Sequence, residues 1–194
     1  MRVLVACEYS GRVRNAFATL GHDAMSCDLL PSETPGKHYQ GDVFDVIDDG
    51  WDLMIAHPPC THLAVSGARH FAAKQASGVQ QQALEFVQRL LDADIPKICL
   101  ENPVSIISTR IRKPSQVIQP HMFGHPEFKA TCLWLKGLPN LAPTHQLDVP
   151  KRGTPEFKQW EVVHRMPPGP DRWRERSRTY TGVANAFAAQ WSSL

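Results

Sequence analysis

The sequence predicts an α/β domain built on a mostly parallel sheet with helices on both faces. Three observations predict it. Residues 3–7 and 53–56 are short apolar runs without alternation, and 95–100 is mostly apolar with Pro96 near its start, which suits strands buried on both sides. Between them the apolar period becomes helical: Val13, Ala16, Phe17 and Leu20 share one face, and Val79, Ala83, Phe86, Val87, Leu90 and Leu91 share another. Finally, chemistry-bearing side chains close the strands, where open α/β sheets build their ligand sites.

The chain of 194 residues suits one domain with a small appendage. Hydrophobic content of 42% and charged content of 21% are ordinary for a globular protein, and a net charge of +2 does not select a partner. Residues 1–50 carry 8 acidic and 4 basic side chains, a net of −4, so the remaining 144 carry +6. An acidic first segment and a basic remainder suit a cofactor half and a nucleic-acid half. Five cysteines at wide spacing form no Cys-x-x-Cys pair, and no signal peptide or apolar run of about 18 residues is present. The expectation is a cytoplasmic protein with free thiols and no membrane segment. Cys7, Cys27, Cys99 and Cys132 read as small buried hydrophobes.

In chain order, strand 3–7 leads into a Glu8-Tyr9-Ser10-Gly11 turn, a helix ending at Gly21, and a strand over 24–28 closed by Asp28. This is the layout of a Rossmann-type cofactor half, in which the acid receives ribose hydroxyls. One glycine stands where the nicotinamide motif has three, so NAD is not favoured. Residues 31–40 read as a loop, and 41–47 as a short strand or turn containing Asp42. After Ile55 and Ala56, Pro58 and Pro59 end the ladder because neither donates a backbone hydrogen bond, and Cys60 follows on a rigid turn. Residues 61–76 read as a mobile loop, and Ser77 with Gln80 as a capping box opening the next helix. The strand over 95–100 ends in Glu101-Asn102-Pro103. Helical crossovers usually place consecutive parallel strands side by side, so Cys60 and Glu101 would face one pocket. The alternative is a buried thiol and a loop carboxylate that never meet.

These residues resemble the DNA cytosine methyltransferases that modify ring carbon 5. Pro59-Cys60 matches that family's nucleophile dipeptide, Ser66-Gly67 the small pair after it, and Glu101-Asn102 its Glu-Asn pair. The segment 6–11, Asp28 and Gly41-Asp42 match the cofactor motifs, residues 124–131 the family's Gly-x-Pro-Gln-x-Arg-x-Arg segment, and residues 182–185 the closing helix. Glu127 stands in place of the glutamine, Lys129 and Thr131 in place of the two arginines, and Pro103 in place of a valine. Only about 40 residues separate Pro139 from Thr179, little for reading a long site in the major groove. The outline is similar to compact phage and prophage members.

The resemblance implies a Rossmann-like S-adenosylmethionine-dependent methyltransferase fold acting on cytosine carbon 5 in DNA through a cysteine adduct. It implies a core over 1–139, a short variable region with nucleic-acid contacts over 140–178, and a helix returning to the core over 179–194. Cys60 would be the nucleophile and Glu101 the proton donor, its carboxyl raised by burial, with Lys129 and Thr131 beside them. Cys7, Glu8, Tyr9, Ser10, Gly11, Asp28, Asp42, Pro58, Gly182 and Val183 would hold S-adenosylmethionine. Pro59, Ser66, Gly67 and Asn102 would meet the base, flipped from a duplex or presented single-stranded. A partner subunit or oligomer would supply the missing recognition.

Arg172, Arg174, Arg176 and Arg178, with Trp173 among them, suit phosphate contact and base stacking, or else a solvated face. His57, Cys60 and His62 lack a fourth ligand at structural-zinc spacing, so no metal is expected. An amino-group methyltransferase would need an acid or amide at His57 and an aromatic at Cys60. Two other readings stay open: carbon-5 modification of free pyrimidine nucleotides, and a non-catalytic DNA- or cofactor-binding protein.

Overall fold

The computed structural model describes residues 1–193; Leu194, the last residue of the expected closing segment, lies outside them. Among the described residues seven strands form one sheet in the order β3-β2-β1-β4-β5-β7-β6. They are β1 (Arg2–Ala6), β2 (Asp23–Asp28), β3 (His38–Gln40), β4 (Leu53–Ala56), β5 (Lys97–Pro103), β6 (Gln116–Ile118) and β7 (Thr131–Lys136). The pairings among β1 to β5 are parallel; β7 alone runs against its neighbours β5 and β6. This is the expected α/β, Rossmann-like architecture, with the strand order reversing between β1 and β4.

Side-chain alternation along the strands divides the core in two. Leu4, Ala6, Met54, Ala56, Ile98 and Leu100 point to one face, under helix α3 (Val79–Leu91) through Leu84, Val87 and Leu90. Val3, Val5, Leu53, Ile55 and Leu133 point to the other, under helices α1 (Arg12–Thr19) and α8 (Thr181–Trp191) through Phe17, Phe187 and Trp191. All four residues of β4 are buried, which explains their unbroken apolar character. Each such aliphatic or aromatic side chain contributes about 1.5–3 kcal/mol by leaving water.

Several local expectations are corrected. Residues 61–76 are ordered rather than a loose loop: a 3-10 turn spans Val65–His70 and helix α2 spans Phe71–Ala76. Ser77 does not open α3. It closes α2, its hydroxyl donating to the Lys74 carbonyl, and Gly78 at φ 77° separates the two helices. Gln80 is buried and donates to the His62 carbonyl, so its amide anchors the segment after Cys60 instead of a helix cap. Residues 38–40, read as loop, pair with β2 as edge strand β3. Strand β5 continues through Glu101, Asn102 and Pro103, because β7 pairs with all three.

Short helix α4 (Ile107–Arg110) lies between β5 and β6, and between β7 and α8 the chain is mostly irregular, with short helices α5 (Pro155–Gln159), α6 (Val162–Arg165) and α7 (Arg172–Ser177). Phe128 packs on Phe157 and Trp160 with ring centroids 4.6 and 5.5 Å apart, fastening this region to the loop before β7. Among the described residues no helix is long and apolar enough to cross a membrane.

Candidate active site

Register places four side chains on one rung at the carboxyl end of the sheet. Ala6 is level with Cys27 and with Ala56, and Ala56 with Leu100. The next residues on β2, β1, β4 and β5 are therefore Asp28, Cys7, His57 and Glu101. The direct neighbour of Glu101 is His57, whose Nδ1 lies 2.9 Å from Glu101 Oε2. His57 was not singled out with Glu101 in the sequence; only the β4–β5 register reveals the pair.

Cys60 stands three residues beyond that rung. Asn102, 1% exposed, donates from Nδ2 to the Pro58 carbonyl at 2.9 Å, and so β5 holds the proline turn. The N–H groups of Leu63 and Ala64 donate to the Cys60 carbonyl at 3.0 and 2.9 Å, closing the far side. Cys60 is half-buried. Burial pushes its thiol above the ordinary range, the negative charge of Glu101 adds to this, and Lys129 and Arg176 partly oppose it.

Glu101 departs from expectation. Burial alone would raise its carboxyl, but the His57 hydrogen bond and charge, the Lys129 ammonium and the Thr131 hydroxyl together hold it below the ordinary carboxylate value. The carboxyl is raised only if burial acts alone, and here it does not. Lys129 Nζ donates to the Arg176 carbonyl at 2.8 Å and lies 5.5 Å from the Tyr180 ring centre. Thr131, 8% exposed, has the Lys129 carbonyl, at 3.1 Å, as an alternative acceptor for its single hydroxyl proton. Cys60, Glu101, Lys129, Thr131 and Arg176 thus share one electrostatic neighbourhood.

The first βα turn lies on the same edge. Cys7 takes φ 59°, the left-handed region, the one non-glycine to do so among the described residues. Such backbone costs about 1–3 kcal/mol and recurs where a loop meets a ligand. Burial and the Asp28 charge push its thiol strongly up. Glu8 is buried, its carboxylate accepting from the N–H groups of Val13 at 2.7 Å and Arg14 at 3.2 Å, and from Ser10 Oγ at 3.1 Å. It therefore caps α1, whose N-cap residue, Gly11 at φ 69°, has no capping side chain. Asp28 accepts from the Leu30 N–H at 2.9 Å, and burial raises its carboxyl. Asp42 is exposed and caps the turn Val43–Asp45 through the Phe44 N–H. Pro58 is buried and Pro59 exposed; Ser66 is exposed on the 3-10 turn beside a half-buried Gly67.

Gly182 fits α8 beneath the Phe123 carbonyl, where a Cβ would overlap that oxygen, and its N–H donates to His125 Nε2 at 2.9 Å. Val183 is buried in the core under α1 and α8.

The arginine row is not a free cationic strip. Arg172, Arg174 and Arg176 are half-buried on α7, and Trp173 remains 53% exposed. Tyr9 donates from its hydroxyl to the Arg174 carbonyl at 2.8 Å and lies 2.9 Å from Ser177 Oγ, while Arg178 pairs with Glu33. Helix α7 thereby spans from the first βα turn to Lys129. A separate surface cleft of about 560 Å³, lined by Phe44, Ile47, Glu85, Gln88 and Arg89 among others, contains none of these residues.

No protein-family model matches the chain, and no curated protein matches it. Among solved structures it is similar to a prophage-encoded E. coli protein whose assignment as a DNA modification methyltransferase is itself provisional. The identity is 14% over 77% of this chain, with a TM-score of 0.47, and the match spans 52% of that protein, about half its length.

Proposed function

We propose that the chain is a methyltransferase that modifies carbon 5 of cytosine in DNA, with S-adenosylmethionine as donor. The observation that carries this reading is the convergence of Cys60 and Glu101, delivered by the adjacent parallel strands β4 and β5, with Lys129 close enough to act on both.

The cofactor residues fit such a donor. Asp28 sits at the crevice beside the β1–β4 reversal, and its carboxylate keeps acceptor capacity beyond the backbone N–H groups it serves. Asp42 is exposed beyond the end of β3 on the same edge, near enough to Cys7 for its charge to act on that thiol. When bound, S-adenosylmethionine supplies an electrophilic methyl group.

The chain's own residues do the rest. Cys60 sulfur adds to ring carbon 6 of an extruded cytosine, and Glu101 passes a proton to ring nitrogen 3, leaving carbon 5 electron-rich. After methylation the carbon-5 proton leaves to a base, the Cys60–carbon bond breaks, and the nitrogen-3 proton returns to Glu101. At rest Cys60 is a thiol and Glu101 a carboxylate, by the directions given above. The reactive pair, thiolate and acid, contains the same single proton on the other atom. An incoming ring nitrogen favours the acid by accepting its hydrogen bond, and Lys129 stabilises the thiolate.

Protein incubated with methyl-labelled donor and mixed-sequence DNA should label the DNA, and Cys60→Ala should abolish labelling. DNA containing 5-fluorocytosine should trap a covalent adduct. Equal, background labelling by both proteins would overturn the proposal. Deoxycytidine monophosphate as acceptor separates DNA from free-nucleotide chemistry.

A further inference from the structure

Resting on that reading, we propose that His57 is the positioning residue for Glu101, holding one carboxylate oxygen by a donated Nδ1–H so that the other faces the reacting ring. The geometry carries this in three ways.

First, the pair is made by sheet register and not by flexible loops. His57 follows Ala56 and Glu101 follows Leu100, themselves registered partners, so their backbones are fixed by the ladder. The His57 N–H also donates to the Ala6 carbonyl at 2.9 Å, tying the ring's backbone to a third strand. Second, both side chains are enclosed, His57 at 8% and Glu101 at 14% exposure, where water competes little for the bond. Third, His57 Nε2 is buried without a hydrogen-bond partner. An orphaned buried nitrogen is costly, a poor trade for a residue serving stability alone. The single hydrogen bond that the His57 ring makes is the one to Glu101.

The titratable and charged groups around Glu101 are His57 and Cys60 in the segment after β4, Lys129 just before β7, Cys99 and Cys132 on β5 and β7, and Arg176 of α7 acting on the neighbouring Cys60, with the Thr131 hydroxyl at the start of β7. Lys129 and Thr131 also favour its carboxylate, so the His57 contribution must be isolated by substitution. When Glu101 gives its proton to ring nitrogen 3, the carboxylate formed gains strength in its bond from His57 Nδ1–H. No net proton is consumed, since the ring returns it when the adduct breaks.

The test compares wild type, His57→Ala and His57→Asn, since asparagine can place an uncharged N–H where Nδ1 stood. In protein labelled with ¹³C-glutamate, the Glu101 carboxyl, assigned by its loss in Glu101→Gln, should titrate below the ordinary range in wild type. It should move up by about one unit or more in His57→Asn. The acid limb of kcat/KM should move with it. His57→Ala should lower kcat by about tenfold or more with little change in KM for DNA, and His57→Asn should recover most of the loss. An unchanged Glu101 titration, or equal activities of the Ala and Asn variants, overturns the proposal. If the variants do not fold, ¹⁵N shifts of the wild-type ring decide: Nδ1 protonated while Glu101 is ionised supports it, and Nδ1 unprotonated overturns it. The titration is read on free protein, so it stands apart from failure of wild type to methylate DNA, which would sink only the methyltransferase reading.

Discussion

Glu33 and Arg178 form a two-point pair across 145 residues of sequence, with Arg178 Nε 2.9 Å from Oε2 and Nη2 2.7 Å from Oε1. Arg178 also pairs with Glu175. The carboxyl of Glu33 is held below its ordinary value, chiefly by that hydrogen bond. The pair fastens α7 over the turn that carries Tyr9. Both side chains keep contact with water, 20% and 28% exposed, so the stabilisation is about 1 kcal/mol and not more. Glu33→Ala should lower the melting temperature by only a few degrees. Trypsin cleavage within 172–178 should speed up about fivefold, because the segment opens more often. Unchanged cleavage would show that Tyr9 and Lys129 hold α7 without Glu33.

Cys60 should report its electrostatic neighbourhood in a chemical assay that needs no substrate. Only the thiolate alkylates readily, and here burial and the Glu101 charge both oppose ionisation. Iodoacetamide should therefore modify Cys60 slowly at neutral pH. Glu101→Gln removes the opposing charge and should speed modification about tenfold, while Lys129→Ala should slow it. Mass spectrometry of the peptide containing Cys60 reads both rates. Opposite signs would contradict the arrangement of charges around the thiol.

Much of this was legible in the sequence, for physical reasons that differ by element. Strands β1, β4 and the apolar part of β5 are buried on both faces and therefore write unbroken hydrophobic runs. Strand β7 is not evident from the sequence pattern, although Thr131–Lys136 includes Cys132, Leu133 and Trp134, because its six residues run on directly from the motif-bearing segment 124–131. The Ser77–Gln80 signal failed because a helix immediately precedes it, so the serine caps the end of one element and not the start of the next. Asp28, Cys60 and Glu101 stand out in the sequence because strand ends are visible as pattern breaks. In the sequence His57 reads only as an incomplete metal ligand, since its partner lies 44 residues away and meets it only through strand register. The low carboxyl of Glu101 is equally hidden: burial is readable from sequence, whereas the groups opposing it arrive from two other segments, His57 after β4 and Lys129 with Thr131 at the entry to β7.

The pH dependence of kcat/KM should be a wide bell. In the mechanism proposed above, the competent free protein carries one proton shared between Cys60 and Glu101. Glu101 is lowered, so a second proton binds, and activity falls, only in acid below the ordinary carboxylate range. Cys60 is raised, so the shared proton is lost, and activity falls, only above the ordinary thiol range of about 8.5. The same direction applies to folding: stability from the Glu101 contacts is present above its unfolded value and is lost as pH falls through its folded value. Activity confined to a narrow band near neutrality would show that other groups control the profile.

Gly182 offers a prediction that separates packing from ligand contact. A Cβ at this position would overlap the Phe123 carbonyl oxygen and stand 3.0 Å from His125 Nε2. The first neighbour is backbone and cannot swing aside, so Gly182→Ala must shift α8 or the 123–125 segment. That segment is braced, since the Gly124 N–H donates to the His145 carbonyl at 2.9 Å, and α8 is pinned by Phe187 and Trp191 in the core. The expected cost is about 1–3 kcal/mol, the range for overpacking, even though alanine is the better helix former by about 1 kcal/mol. Gly21→Ala provides the contrast: nothing lies within 4 Å of its Cβ, but φ is +83°, so its smaller loss comes from backbone strain alone. Urea unfolding without any ligand measures both. A neutral or stabilising Gly182→Ala would mean that α8 sits further from Phe123, leaving the glycine free to face a bound molecule.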